Sequence, residues 1–135
     1  MGELGLKLHH IAVVVRDVER SLAFYRDFLG LPTKQRPPFP VGGAWLAAGP
    51  LEVHVVAHPG GSFRSGPCDT DDIHFACNTT DFEGFLARAA EFGYSEAATG
   101  DDPMRMIVRR NSLAGYQQAY LLDPDRNIVE VNGAP

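Results

Sequence analysis

Hydrophobic residues along this chain follow two alternating patterns: short β-branched runs, and longer segments in which apolar residues recur every three or four positions. The run LHHIAVVV at residues 8–15 is typical of a buried strand. Helical spacing follows over residues 18–29, where Asp17 is a suitable N-cap and Gly30 a suitable end. Three more strands are expected at residues 33–35, 44–48 and 51–58. The first part of the chain is therefore predicted to form a β-α-β-β-β module.

The second half of the chain repeats this order at a constant distance of 64 positions. The matching pairs are His10 and His74, Ala12 and Ala76, Asp17 and Asp81, Glu19 and Glu83, Leu22 and Leu86, Ala23 and Ala87, and Phe28 and Phe92. A repeat present only twice indicates two copies of one module rather than an array. The second module is expected to have a strand at 73–78, a helix from Asp81 to Phe92 ended by Gly93, and strands near 95–98, 117–122 and 128–132.

Length and composition favour a single domain over residues 1–135, with module one at about 6–58, a linker rich in Gly, Ser and Pro at about 59–71, and module two at about 72–133. The net charge is −5 and no basic stripe is present, which argues against nucleic acid as a partner. The apolar run at residues 11–15 is too short to span a bilayer, so no membrane partner is expected. Two cysteines are too few for a disulfide framework, and a cytoplasmic location is the default expectation.

Side-chain alternation within strands decides which polar residues share a face. In the first strand His10 lies opposite His9, whose apolar neighbours mark the face that packs on the helix, so His9 is expected in the core. By the same rule His54, His74 and Glu130 each lie on the more polar face of their strand. The sequence therefore predicts four strands that direct an imidazole or a carboxylate toward a common polar concavity.

The chain resembles a known family at both ends. The phrases LHHIAVVVRDVERSLAFYRDFLGL and QQAYLLDPDRNIVEVN are similar to the opening and close of the vicinal oxygen chelate superfamily, and RPPFPVGGAWLAAGPLEVHVV is similar to a glyoxalase-like subgroup. The superfamily includes glyoxalase I, fosfomycin-resistance thiol transferases, extradiol dioxygenases, methylmalonyl-CoA epimerase and bleomycin-resistance proteins. The resemblance covers nearly the whole chain except residues 59–71 and 99–115. It implies an α+β fold in which two βαβββ modules form a curved, mixed sheet.

The resemblance also implies a metal site. Superfamily ligands come from the first and fourth strands of each module, which by position are His10, His54, His74 and Glu130. Imidazoles and a carboxylate suit a divalent ion such as Zn²⁺, Ni²⁺, Co²⁺, Mn²⁺ or Fe²⁺. Glyoxalases commonly have an acid where this chain has His54, and thiol transferases can leave that position unused. The alternative for any of these histidines is a hydrogen-bonded structural residue.

Four further residues are candidates for substrate contact. Tyr120 resembles a substrate-contacting tyrosine of the thiol transferases, and Gln118 lies two residues away on the same strand face. Arg36 and Trp45 are candidates for a pocket mouth, although Trp45 also suits a core position. Packing alone is an equal explanation for Tyr120.

The polar and basic stretch at residues 99–115 holds three more cations, Arg105, Arg109 and Arg110. They are either part of a solvated loop, which is the simpler expectation, or candidates to bind a substrate anion. The last turn departs from the family, because superfamily members commonly have Gly where this chain has Arg126. If that position has positive φ, an arginine there costs about 1 kcal/mol.

The function implied by the resemblance is that of a divalent-metal-dependent lyase or isomerase of glyoxalase type, acting on a small substrate with vicinal oxygens. Glu130 is then the candidate catalytic base by analogy with the family. The alternatives are an Fe²⁺ or Mn²⁺ dioxygenase, a fosfomycin-type thiol transferase, and a non-catalytic protein that binds a drug or metabolite. A homodimer is expected, in which His10 and His54 of one chain meet His74 and Glu130 of the other; a monomer is the alternative.

Overall fold

A computed structural model describes residues 2–134 and divides the chain between Pro59 and Gly60 into two compact units. Unit 1 precedes this boundary and unit 2 follows it. Each unit has one four-stranded mixed sheet and one principal helical segment in the order β-α-β-β-β. The predicted α+β fold of two similar modules is confirmed.

Unit 1 contains the strands β1 (His10–Val15), β2 (Thr33–Lys34), β3 (Gly43–Ala48) and β4 (Leu51–Ala57). Their spatial order is β1-β4-β3-β2, and only the pair β1–β4 is parallel. Parallel neighbours need a crossover connection, and the helical segment after β1 begins it. The first strand and the last strand of the unit therefore lie side by side.

The helical segment of unit 1 changes its pitch partway along. It begins as α1 (Val18–Leu22), where the Asp17 carboxylate accepts a hydrogen bond from the backbone N–H of Arg20 at 3.3 Å. It continues as a π-helix over Ala23–Phe28, because the N–H of Leu29 donates to the carbonyl of Phe24 five residues earlier at 2.9 Å. Helical spacing in the sequence predicts the segment but not this wider turn.

One face of the unit 1 sheet is apolar and buried, and so are the large side chains of the helical segment. These residues are Val13, Val15, Leu46, Val53 and Val55 from the strands, and Leu22, Phe24, Tyr25 and Phe28 from the helix. Burying one side chain of this kind contributes about 1.5–3 kcal/mol to stability. The opposite face of the sheet is left for polar residues.

Unit 2 contains the strands β5 (His74–Asn78), β6 (Ile107–Arg109), β7 (Gln118–Leu122) and β8 (Ile128–Asn132), and the helix α2 (Phe82–Glu91). The spatial order β5-β8-β7-β6 repeats that of unit 1, with β5 parallel to β8. The Asp81 carboxylate caps α2 through the N–H of Gly84 at 2.9 Å, as the repeat predicts. Among residues 2–134, no helix has the length and apolar character needed to cross a membrane.

One predicted strand is wrong. Residues 95–98 were expected to form the second strand of module two, but only Ser95 makes an isolated bridge, to Arg105. The strand lies later, at Ile107–Arg109, within the polar and basic stretch in which no strand is expected. The reason is an insertion: Lys34 of unit 1 corresponds in register to Ile107, 73 positions away, whereas the first strands are 64 apart.

The residues of unit 2 that precede β5 are bonded to the rest of that unit. The turn between β7 and β8 holds Arg126 at φ 67°, and its guanidinium donates to the carbonyls of Gly66 at 2.8 Å and Asp101 at 3.0 Å. Arg64 adds hydrogen bonds to the carbonyls of Pro67 at 2.6 Å and of Arg126 at 3.5 Å. Cys68 is buried against Tyr120 and its neighbours. Much of the segment that the sequence marks as a linker is therefore held by an arginine clasp, Arg64 and Arg126.

Candidate functional site

His54 and Glu130 occupy equivalent positions in the two units. In unit 1, Ala12 of β1 lies opposite His54 of β4. In unit 2, Ala76 of β5 lies opposite Glu130 of β8, and the two alanines are themselves a matched pair of the repeat. A small residue thus stands beside each candidate ligand, and the polar faces are those that strand alternation predicts.

Unit 2 brings two predicted ligands into direct contact. Nε2 of His74 lies 3.0 Å from Oε1 of Glu130, whose side chain is nearly buried while that of His74 is 28% exposed. Nδ1 of His74 donates to the backbone carbonyl of Asp72 at 2.7 Å. Because a neutral imidazole has one N–H, this hydrogen bond leaves a lone pair on Nε2 that faces a carboxylate. A proton or a cation between Nε2 and Oε1 is needed to make this contact favourable.

The Glu130 carboxylate has two further partners on neighbouring strand β7. Nε2 of Gln118 donates to Oε2 of Glu130 at 3.3 Å, and Tyr120, directly opposite Glu130 in the strand register, hydrogen-bonds to the same carboxylate. Burial, and then the hydrogen bond with Glu130, raise the pKa of the Tyr120 hydroxyl. The ring of Tyr120 meets that of His74 edge-on at 5.7 Å between centroids. Both predicted substrate residues of unit 2 therefore contact the candidate ligands.

In unit 1 the predicted residues form a stack of rings. The His10 and His54 rings lie 3.9 Å apart between centroids at 15°, and the Trp45 ring continues the stack 4.3 Å from His54 at 7°. The lone pairs of an imidazole lie in its ring plane. Two nearly parallel rings direct them into nearly parallel planes, so one ion cannot bind both histidines unless a ring turns.

His54 is also held by charged neighbours. Its Nε2 donates to Oε1 of Glu52 at 2.9 Å, and Lys34 bonds the other oxygen of the same carboxylate. The hydrogen bond from His54, followed by that from Lys34, lowers the pKa of Glu52 to about 2. In unit 2 the positions of Lys34 and Glu52 are taken by Ile107 and Ile128. The two units have therefore kept the same backbone positions but not the same chemistry.

Arg36 lies at the far end of this ring stack. Its guanidinium is 5.1 Å from the centre of the Phe39 ring and donates a hydrogen bond to the carbonyl of Val41 at 2.7 Å. The Phe39 ring is tilted against the Trp45 ring, with 6.0 Å between their centroids. Arg36 and Trp45 thus belong to one aromatic group, in which Phe39 is half exposed. His9 is exposed rather than in the core as expected, because it precedes β1 and its Nδ1 lies 2.9 Å from Nδ1 of His10.

The donor set of unit 2 fits a divalent ion. Ligand atoms bound at right angles with bonds of 2.0–2.2 Å lie about 3.0 Å apart, close to the observed spacing of His74 and Glu130. The carbonyl of Asp72 supplies the orienting hydrogen bond that ligating histidines usually have. Across residues 2–134, no three His, Cys, Asp or Glu side chains are gathered closely enough to hold an ion. Within unit 1, His10 or His54 can serve as a ligand singly in the arrangement described.

Sequence reasoning missed Glu52, Lys34 and the carbonyl of Asp72. The sequence could have indicated Glu52, because an acidic residue two positions before a histidine in a strand lies on the same face of the sheet as that histidine. The sequence could not have indicated Lys34, because its closeness to Glu52 depends on how β2 pairs with β3. The carbonyl of Asp72 is a backbone group, and side-chain patterns do not mark it.

The fold and these positions define a family. The sequence model of the Glyoxalase/Bleomycin resistance protein/Dioxygenase superfamily matches residues 7–131, and the chain belongs to this superfamily. The chain is 25% identical over 130 residues to a protein named Glyoxylase I 4 from Arabidopsis thaliana, across 92% of this chain and 68% of that protein.

Solved structures agree with this membership at the level of fold. A glyoxalase family protein from Bacillus anthracis superposes with a TM-score of 0.76 at 19% identity, over 98% of each chain. A bleomycin-binding protein complexed with bleomycin superposes with a TM-score of 0.66 at 23% identity, over 96% of this chain and 98% of that one. The chain therefore shares its fold with proteins named for different activities.

Proposed function

We propose that this protein is a divalent-metal-dependent lyase or isomerase of glyoxalase type, acting on a small substrate with two adjacent oxygens. The observation that carries the proposal is the contact of His74 with Glu130, in which the Asp72 carbonyl leaves a lone pair of Nε2 facing a carboxylate. His10 and His54 are proposed to complete the ligand set, which requires one of their two stacked rings to turn. Glyoxalase-superfamily membership supports this proposal.

A bound ion of this kind would act as a Lewis acid toward the substrate's vicinal oxygens and stabilise negative charge on them. The chain itself supplies the groups around that charge. Gln118 and Tyr120 hold the Glu130 carboxylate in place by hydrogen bonds, so that one oxygen can face the substrate. Glu130 is proposed to move a proton between the two carbons that carry the oxygens. Nearly complete burial of Glu130 limits competition from water.

Metal binding tests the first half of the proposal. Chelator-stripped protein is titrated with Ni²⁺, Co²⁺, Zn²⁺, Mn²⁺ and Fe²⁺ and followed by calorimetry and metal analysis. We expect His74→Ala and Glu130→Ala each to weaken binding at least tenfold. His58→Ala is the matched control, since His58 is an exposed histidine just after β4. Unchanged affinity in both site variants would rule out this ligand pair.

Turnover tests the second half. Metal-loaded protein is assayed with the adduct of methylglyoxal and glutathione, with adducts of other thiols, and with catechols while oxygen consumption is recorded. The proposal is supported if the wild type isomerises any of these adducts and Glu130→Gln does not. Oxygen uptake with catechols would instead indicate a dioxygenase. Tight metal binding without turnover of any of these compounds would favour a binding protein.

A further inference from the structure

Three arginines of unit 2 lie near one another in sequence but have different surroundings. Arg110 forms a bidentate ion pair with Glu96, at 2.9 Å and 3.0 Å. Arg105 donates to the carbonyl of Gly100 at 3.4 Å. Arg109 donates to the hydroxyl of Thr70 at 3.0 Å and makes no ion pair with any carboxylate among residues 2–134. Its charge is therefore available to an anion.

The strand register places Arg109 on the face that carries Glu130. Arg109 lies opposite Gln118 of β7, and Gln118 lies opposite Asn132 of β8. In the next row of the same face, Tyr120 lies opposite Glu130. The guanidinium of Arg109 is 5.7 Å from the centre of the Tyr120 ring. A cation thus lies beside the two residues that contact the Glu130 carboxylate.

A second observation at the same face points to a ligand. Asn132 is 5% exposed, and its Oδ1 has no hydrogen-bond partner within residues 2–134. Because an unpaired buried polar atom is unfavourable, nearly all such atoms have a hydrogen-bond partner. Asn132, Gln118 and Arg109 form one row of polar side chains across β8, β7 and β6. The row ends in a positive charge at Arg109, while the unpaired Asn132 oxygen is an acceptor and therefore suits a hydroxyl or N–H of a ligand, not its carboxylate.

We propose that Arg109 binds a carboxylate of the substrate, so that the substrate is an acid whose carboxylate is separate from its vicinal oxygens. This inference rests on the proposed function, because it takes His74 and Glu130 to mark the place of those oxygens. Strands β6 and β8 are two strand spacings apart, about 10 Å, which a small molecule and the long arginine side chain can bridge together. The planar guanidinium matches a carboxylate with two parallel hydrogen bonds.

A pair of hydroxamate chelators that differ by one carboxymethyl group tests the proposal. Acetohydroxamic acid and N-hydroxysuccinamic acid carry the same vicinal oxygens, and only the second has an added carboxylate. Their affinities for the Ni²⁺-loaded protein are measured by calorimetry. The carboxylated compound is expected to bind at least tenfold more tightly. Arg109→Gln removes this preference and leaves the affinity for acetohydroxamic acid within about twofold.

Arg110→Gln is the matched control, because it deletes the same charge one residue away at an arginine that is already paired with Glu96. It keeps the preference. Equal binding of the two hydroxamates to the wild type overturns the proposal, and so does a preference that survives in Arg109→Gln or that Arg110→Gln abolishes equally.

Metal-free protein gives a separate readout that does not depend on the proposed function. Succinate is titrated against the wild type while the side-chain Nε–H resonance of Arg109 is followed by NMR. A saturable shift of that resonance, absent in Arg109→Gln, supports an anion site even if no metal binds. Absence of a shift in the wild type overturns the anion site. Failure of metal and hydroxamate binding alone would count against the proposed function.

Discussion

Glu52 holds His54 from two residues away on the same face of β4, through a hydrogen bond of 2.9 Å between Oε1 and Nε2. Lys34 binds the same carboxylate. This chain of charged groups fixes the centre of the ring stack in unit 1, and unit 2 has apolar residues in the corresponding places. The two copies of the module are therefore held in shape by different interactions.

The depressed pKa of Glu52 predicts a loss of stability in acid. Because the folded-state pKa is about 2 and the ordinary value is 4.5, Glu52 stabilises the fold fully above about pH 4.5 and progressively less as the pH falls toward 2. The melting temperature of metal-free wild type should fall more steeply from pH 5 to pH 2.5 than that of Glu52→Gln. Glu91→Gln, at the end of α2, should keep the wild-type slope. Parallel curves for the wild type and Glu52→Gln would contradict the prediction.

Substitutions of Arg126 can separate the contributions of backbone strain and of hydrogen bonding to the free energy of unfolding. Arg126→Ala removes both guanidinium hydrogen bonds and keeps a side chain at φ 67°, whereas Arg126→Gly removes the bonds and relieves the conformation. Arg126→Gly should therefore be more stable than Arg126→Ala by about 1 kcal/mol in urea unfolding. If the two variants unfold at the same urea concentration, the positive φ costs nothing at this turn.

A buried hydroxyl connects the loop after α2 to the sheet of unit 2. The Tyr94 hydroxyl donates to the carbonyl of Leu122 at 2.7 Å, and burial raises the pKa of Tyr94 well above its usual range. Tyr94→Phe leaves that carbonyl without its side-chain donor and should lower the free energy of unfolding by about 1 kcal/mol. Tyr116→Phe, in the loop before β7, should change it by less than about 0.5 kcal/mol. Equal effects would show that the buried hydroxyl has no special role.

Strand alternation predicted much of what lies on each face. His10, His54, His74 and Glu130 lie on the faces that period-two reasoning gives, because side-chain direction in a strand is a local property. The position of β6 was not predictable in this way. The repeat places the strand near residue 98, and an insertion of loop residues moves it to Ile107–Arg109.

Non-local contacts set the remaining limits. Arg105, Arg109 and Arg110 are indistinguishable in sequence, and only the pairing of β6 with β7 and the reach of Glu96 separate their roles. The stack of His10, His54 and Trp45 likewise depends on three strands being neighbours in a particular register. Contacts between strands far apart in sequence are outside the reach of local patterns.

The expected homodimer with shared ligands remains a prediction from the sequence, and mixing variants tests it. Chains carrying His10→Ala are mixed with chains carrying Glu130→Ala under conditions that exchange subunits. If ligands come from both chains, each heterodimer has one intact site and one doubly damaged site, so the isolated heterodimer should bind half as much metal as the wild-type dimer. If each chain supplies its own ligands, every site keeps one lesion. Heterodimers that recover no metal would therefore contradict shared sites.

The arginine clasp determines which boundary suits separate expression of the two halves of the chain. A cut between Pro59 and Gly60 would leave Arg64, Gly66 and Cys68 on the same polypeptide as Arg126 and the sheet they bond to. A cut just before β5, where the visible repeat begins again, would remove those partners from the second half. The repeated module, which is marked by matching residues, thus begins later in the chain than the unit that is held together by hydrogen bonds. Fragments intended for separate expression should begin where the hydrogen-bonded unit begins.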